Sequence, residues 1–168
     1  MNDELTKVDI EKMKAELEDR RLNIRPKIME DVKTARAFGD LSENYEYKAA
    51  KEAQRRNDSR MRYLERMIAT AKVIDAPKTA DDVVGLFSKV TMFNEKLQKE
   101  QTIRIVTTLR QDALHGLISK ESPVARALMG HRAGERVEIT VNPGMKYTVV
   151  LRSVEPGTDD ASLAISSF

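Results

Sequence analysis

Gly39-Asp40-Leu41-Ser42-Glu43-Asn44 is a short polar stretch between two long runs of helical periodicity, and the fold depends on how it is read. Gly39 suits the left-handed residue that ends a helix. Asp40 followed three residues later by Glu43 has the form of a capping box. In such a box the first side chain accepts from an orphan amide and the second reaches back to the first residue's own N–H. The stretch is therefore a tight turn into a second helix. Its two carboxylates are either the cap of that helix or a functional pair at the end of a hairpin.

Outward from the turn, the approaching arm carries apolar residues at Ile10, Met13, Leu17, Ile24, Ile28, Val32 and Ala35, in helical steps with a fault around Arg20 and Arg21. Pro26 lies inside this arm and predicts a kink or restart between Asn23 and Pro26. The departing arm is more regular. Tyr47, Ala50, Gln54, Asn57, Met61, Leu64, Ile68 and Ala71 alternate steps of three and four, as a coiled-coil seam requires. Its 29 residues from Asn44 to Lys72 make about 43 Å of helix at the usual rise. Two such arms joined by so short a turn run antiparallel.

The chain has 168 residues, 33% of them charged and 5% aromatic, with no Trp and no Cys. A large aromatic core is excluded, as are disulfides, thiolate zinc sites and cysteine nucleophiles. The polar start Met1-Asn2-Asp3-Glu4-Leu5 and the lack of a bilayer-length apolar run predict a soluble cytoplasmic protein with no membrane partner. The net charge of +2 is unevenly spread: residues 1–31 hold 7 basic against 9 acidic groups, and residues 44–72 hold 8 against 4. A basic arm beside an acidic one either laces the pair together or offers a surface to phosphates.

After residues 76–81, read as a linker, β-rich runs follow at 83–87, 90–93, 102–107, 138–141 and 147–151. Ser122-Pro123 through Gly130 has the signature of one short capped helix. The second half is thus expected to be a small α+β domain with an antiparallel sheet. His115 and His131 lack acidic partners at metal-ligand spacing and are read as solvated loop residues. No phosphate loop, nucleophile elbow or zinc-protease motif occurs, so a self-sufficient active site is not expected. What remains is the acid pair Asp40 and Glu43, flanked by Arg36, Lys48, Lys51, Arg55 and Arg56. Carboxylates hold divalent cations and Lys or Arg hold phosphodiesters, but two carboxylates alone make a poor cage for Mg²⁺.

The tip hexapeptide with Glu46-Tyr47 and Ala49-Ala50, together with Arg25-Pro26, Ala71-Lys72-Val73-Ile74-Asp75, Ser122-Pro123 and Ala127-Leu128-Met129-Gly130, resembles the bacterial Gre transcript-cleavage factors, closest to the GreA type. The resemblance covers about residues 5–155. It implies an N-terminal antiparallel coiled-coil domain over 1–75 with its acidic tip at 39–44, and a C-terminal FKBP-like domain over 82–155 that docks on RNA polymerase. The coiled coil then enters the polymerase's secondary channel. Asp40 and Glu43 help hold a catalytic Mg²⁺ shared with the polymerase and position water, so that the polymerase cleaves the 3′ end of backtracked RNA. Arg36 and Lys51 match a basic spot near the tip associated with that RNA, and Lys48 and Arg55 join them as expected RNA contacts. The protein is then a monomeric factor acting on bacterial RNA polymerase and nascent RNA, and no enzyme by itself. Tyr45 stands where small residues are usual, and the tail 156–168 extends past the usual end with no assigned role. A polymerase-binding regulator or inhibitor with the same shape stays open as an alternative, as does an adaptor or peptidyl-prolyl isomerase that ignores the tip acids.

Overall fold

The computed structural model describes residues 3–40, 44–75 and 80–167. The chain divides into two compact units, one of Ile10–Ala71 and one of Asp3–Asp9 with Lys72–Ser167. Residues 3–9 and 72–75, assigned from sequence to the hairpin, thus belong with the second unit. The reason is local pairing: β1 (Glu4–Leu5) lies parallel to β2 (Lys72–Val73), and Ile74 N–H donates to Leu5 O at 2.8 Å.

In the first unit, α1 (Lys7–Asp19) passes through a π-helical segment, Arg20–Ile24, into α2 (Arg25–Arg36). Pro26 lies in the first turn of α2, where its missing N–H costs least. The expected fault is therefore a widened turn. The widened turn ends at Ile24, so Ile28 and Val32 follow it on the regular α-helical repeat of α2. Arg20 is not out of phase but occupies a seam position, where its Nη1 donates to Asn57 Oδ1 across the arms at 2.9 Å.

The returning arm is α3 (Tyr45–Thr70), about 39 Å long at the usual rise. Cross-arm partners fall along one arm as they rise along the other, which fixes an antiparallel pair. Asn44 Nδ2 donates to Ala35 O (2.8 Å), Gln54 Nε2 to Met29 Sδ (3.3 Å), and Arg60 to Glu16 through Nε (2.8 Å) and Nη2 (3.0 Å). Between these ties Met13, Leu17, Val32 and Ala35 are buried with Ala50, Met61 and Leu64. Burying Leu64 alone contributes about 2 kcal/mol.

The second unit is built on a five-stranded sheet of order β5-β4-β3-β7-β6, formed by β3 (Lys89–Asn94), β4 (Lys99–Val106), β5 (Leu117–Ser119), β6 (Arg136–Asn142) and β7 (Met145–Glu155). Four strands pair antiparallel, as expected. The edge strand β5 runs parallel to β4, so the sheet is mixed. Alternation puts Val90, Met92, Val137 and Ile139 on the inner face, where α4 (Pro123–Leu128) lays Ala125 and Leu128 against them. The start of α4 follows its sequence signature, with Ser122 Oγ accepting from Ala125 N–H at 3.1 Å. The run 83–87 is not a strand. Val83 makes one isolated bridge to Arg132, and Phe87 adopts φ +68°, a conformation that no extended strand allows. The apolar pattern there reports burial, since Val84, Leu86 and Phe87 are core residues.

The tail packs onto this unit. Gly157 approaches so closely that a Cβ there would lie 1.8 Å from Phe87 O, Leu163 packs against the core, and Ser166 N–H donates to Leu109 O at 2.7 Å. Its main anchor is Arg110, whose side chain is fully buried. Arg110 donates from Nε to Asp9 Oδ1 (2.5 Å), from Nη2 to Thr6 Oγ1 (3.0 Å) and Asp159, and from Nη1 to Asp160 O (3.0 Å). Its guanidinium also lies 5.1 Å from the centre of the Phe87 ring. Burial disfavours the charge, but the hydrogen bonds that Arg110 donates to Asp9 and Asp159 outweigh it and hold the guanidinium more firmly protonated than usual.

Candidate functional site

At the tip of the hairpin, α2 ends at Arg36 and the chain leaves it through Gly39 at φ +94°. The exposed Asp40 follows. Glu43 lies outside the described residues, as do Leu41 and Ser42 and, in the expected linker, 76–79.

The cap of the departing helix is Asn44. Its Oδ1 accepts from Tyr47 N–H at 3.0 Å while its Nδ2 donates to Ala35 O at 2.8 Å. The helix therefore begins four residues later than a box led by Asp40 requires, and one amide side chain both caps α3 and ties it to α2. This cap was legible in principle, because Asn ranks with Asp as an N-cap and the seam period begins at Tyr47. A true capping box occurs elsewhere: Thr6 N–H donates to Asp9 Oδ2 at 3.0 Å, and Asp9 N–H to Thr6 Oγ1 at 3.3 Å.

Basic side chains stand on both arms near the tip. Arg36 lies 5.7 Å from the Tyr47 ring centroid. A hydrogen bond from Arg36 holds the Tyr47 phenol below its ordinary pKa, helped by the charge of Lys51. Tyr47, which the sequence marked as a seam and motif residue, thus meets Arg36 of the opposite arm. Lys51 Nζ also donates to Gln54 Oε1 at 2.9 Å. Lys48 places its Nζ 5.6 Å from the centroid of Tyr45. Arg55 is turned to Glu52, 2.9 Å away, which also holds Arg56. The structure therefore gathers Arg36, Lys48 and Lys51 near the helix start and ties Arg55 to an acid of its own helix. An open dip beside them is lined by Phe38, Asp40, Asn44 and Glu46.

Both histidines have acidic partners that sequence spacing did not suggest. His115 Nδ1 lies 2.6 Å from Asp112 Oδ2, and His131 Nδ1 lies 2.6 Å from Glu135 Oε2. Each is an exposed pair. Among the described residues no group of three or more His, Cys, Asp or Glu side chains converges as a metal site, and no helix is long and apolar enough to cross a membrane.

The family "Transcription elongation factor, N-terminal" matches residues 4–73, and "Transcription elongation factor, GreA/GreB, C-term" matches residues 78–156. A protein named transcription elongation factor GreA from Chelativorans sp. (strain BNC1) is 43% identical over 148 residues, 88% of this chain and 94% of that protein. One of the same name from Brucella anthropi is 42% identical over 147 residues, 87% of this chain and 94% of its own length. Among solved structures, GreA factor homolog 1 of Thermus thermophilus aligns over 93% of this chain and 100% of its own, with 24% identity and a TM-score of 0.40. With both family matches together spanning nearly the whole chain, the protein belongs to the GreA/GreB family of transcription elongation factors.

Proposed function

We propose that this elongation factor binds bacterial RNA polymerase, inserts its helical hairpin into the secondary channel, and stimulates cleavage of the 3′ end of backtracked RNA by the polymerase's own active site. The observation that carries this reading is the cap. Asn44 starts α3, so an acid at position 40 is not required for the helix start, and Asp40 stands exposed at the tip. Asp40 and Glu43 are the residues that would hold Mg²⁺. Their hard carboxylate oxygens suit it, but two side chains fall well short of its six-ligand shell, so the site is shared with the polymerase. Mg²⁺ bound there supplies charge neutralisation and lowers the pKa of a bound water. The chain's acids orient that water, while Arg36, Lys48, Lys51 and Arg55 hold the transcript backbone as sequence-independent phosphate contacts. The factor is cytoplasmic, monomeric and not an enzyme alone.

Asp40→Asn and Glu43→Gln keep shape and remove charge. Each is expected to reduce transcript cleavage by about 100-fold or more, with the Mg²⁺ requirement moved upward and the melting temperature unchanged. The measurement is RNA shortening in stalled elongation complexes across a Mg²⁺ titration. Wild-type rates for both variants would sink the ligand role. Polymerase binding by the wild-type chain with no RNA shortening would make it a regulator of a different kind.

A further inference from the structure

Tyr45 is the first residue of α3, and its side chain is 82% exposed. Lys48, one turn on, places its ammonium over the ring at 5.6 Å from the centroid. At that exposure the opposite face remains open to solvent. The pair combines a flat π surface with one cation, a side chain's length apart. A nucleotide presents the matching halves, a base with a π face and an anionic phosphate. An apolar protein segment laid on the ring would have to desolvate the ammonium without pairing it, which opposes docking. Phe38, 71% exposed on the other arm, lines a dip with Asp40 and Glu46, and no cation stands over its ring among the described residues. It lacks the phosphate half.

We propose that Tyr45 is a stacking platform for one unpaired RNA base, with Lys48 beside it taking that nucleotide's phosphate. The proposal rests on the reading that the tip meets backtracked RNA, and it adds a base-dependent component to a contact otherwise made to the backbone. Stacking on an aromatic is worth more for purines than for pyrimidines because the stacked area is larger. A factor carrying Tyr45 should therefore favour transcripts with a purine at the extruded end.

The test uses the full chain with backtracked elongation complexes whose RNAs differ only in ending in a purine or a pyrimidine. The reading is the factor concentration giving half-maximal cleavage. Tyr45→Ala is expected to raise it about tenfold for the purine end and less for the pyrimidine end. Tyr45→Phe should restore the wild-type value, because the stack and not the hydroxyl carries the contact. Lys48→Ala should raise it equally for both ends and weaken its salt dependence. A second readout does not depend on cleavage: RNA with 5-iodouridine at its 3′ end should photocrosslink to Tyr45, as located by peptide mass. An unchanged half-maximal concentration for Tyr45→Ala, or no crosslink at Tyr45, overturns the platform. So does a loss equal for both ends that also appears in binding to polymerase without RNA, which would assign the ring to a protein contact. Failure of the wider reading looks different: Asp40→Asn would then cleave at the wild-type rate, whatever Tyr45 does.

Discussion

The starts of α1, α3 and α4 each have a polar side chain accepting from the amide three residues on, and the first two of these starts differ sharply in their surroundings. At α1, Thr6 and Asp9 close a reciprocal box, both are buried, and Asp9 also takes a hydrogen bond from the buried Arg110. At α3, Asn44 is the cap, Tyr45 and Glu46 after it are exposed, and the nearby acid Asp40 is not the cap. An acid at a helix start can thus be buried within the fold or exposed at the surface, and burial separates the two cases. The same Asp-x-x-Glu spelling that suggests a cap at the tip is realised as Thr-x-x-Asp at α1, where burial and a cation lock it.

The sharpest way to break the comparison is to remove the cation at the first start. Arg110→Leu leaves Asp9 buried without its charged partner, and is expected to destabilise the second unit by about 3–5 kcal/mol. Arg110→Lys should recover only part of that, because one ammonium cannot serve Asp9, Thr6, Asp159 and the Asp160 carbonyl from a forked geometry. Denaturant unfolding followed by circular dichroism reads both. A change under about 1 kcal/mol for Arg110→Leu would mean that Thr6 alone satisfies Asp9 and the first start is no more locked than the second.

Local periodicity and capping chemistry made α2, α3 and α4 readable in advance, down to Ser122 as a cap, because those features depend on residues within one turn of each other. Arg110 was not readable. Its partners lie 101, 104 and about 50 positions away, and nothing local marks one arginine among many as buried. The parallel strand β5 is three residues long and is set by its register against β4. The tail looked like an extension because its anchors, Phe87, Leu109 and Arg110, are remote in sequence. At the tip the sequence reads in a frame led by Asp40, and the structure sets it by Asn44. The hydrogen bond to Tyr47 decides between them, and Glu43 lies outside the described residues.

Between the two starts the hairpin has an intermediate case. Glu16, with its side chain 23% exposed, accepts from both Arg60 and Arg20. Burial would raise its carboxyl's pKa, but the hydrogen bonds from Arg60 and Arg20 outweigh burial and hold it below 4.5. A carboxyl whose folded pKa is depressed stabilises the fold above the unfolded pKa, and that contribution is lost as pH falls through the folded value. The hairpin should therefore lose helicity progressively below about pH 4.5. Glu16→Gln should cost about 1–2 kcal/mol at neutral pH and flatten that part of the acid profile. A profile unchanged by the substitution would show that other carboxylates set the acid limit.

The smallest effect belongs to Asn44, and it divides the second start into its two functions. Asn44→Asp keeps an oxygen for Tyr47 N–H, and its charge suits the helix N-terminus, but it cannot donate to Ala35 O. Asn44→Ala loses both contacts. If the cap carries the stabilisation, Asp should match the wild type and Ala should cost about 1 kcal/mol. If the tie between arms matters as much, Asp should fall between them, since the carbonyl of Ala35 then loses one of its donors. Thermal unfolding of the three proteins ranks them, and amide exchange at Phe38 and Gly39 localises the difference, because those amides hydrogen-bond to Ala35 O and Arg36 O at the end of α2. Faster exchange there in Asn44→Asp, with no change in melting temperature, would make Asn44 the group that holds the position of Asp40 without adding to global stability. Its replacement should then lower cleavage though the helix start is intact. Unchanged exchange in Asn44→Asp would reduce the residue to a cap, and leave the placement of Asp40 to the turn.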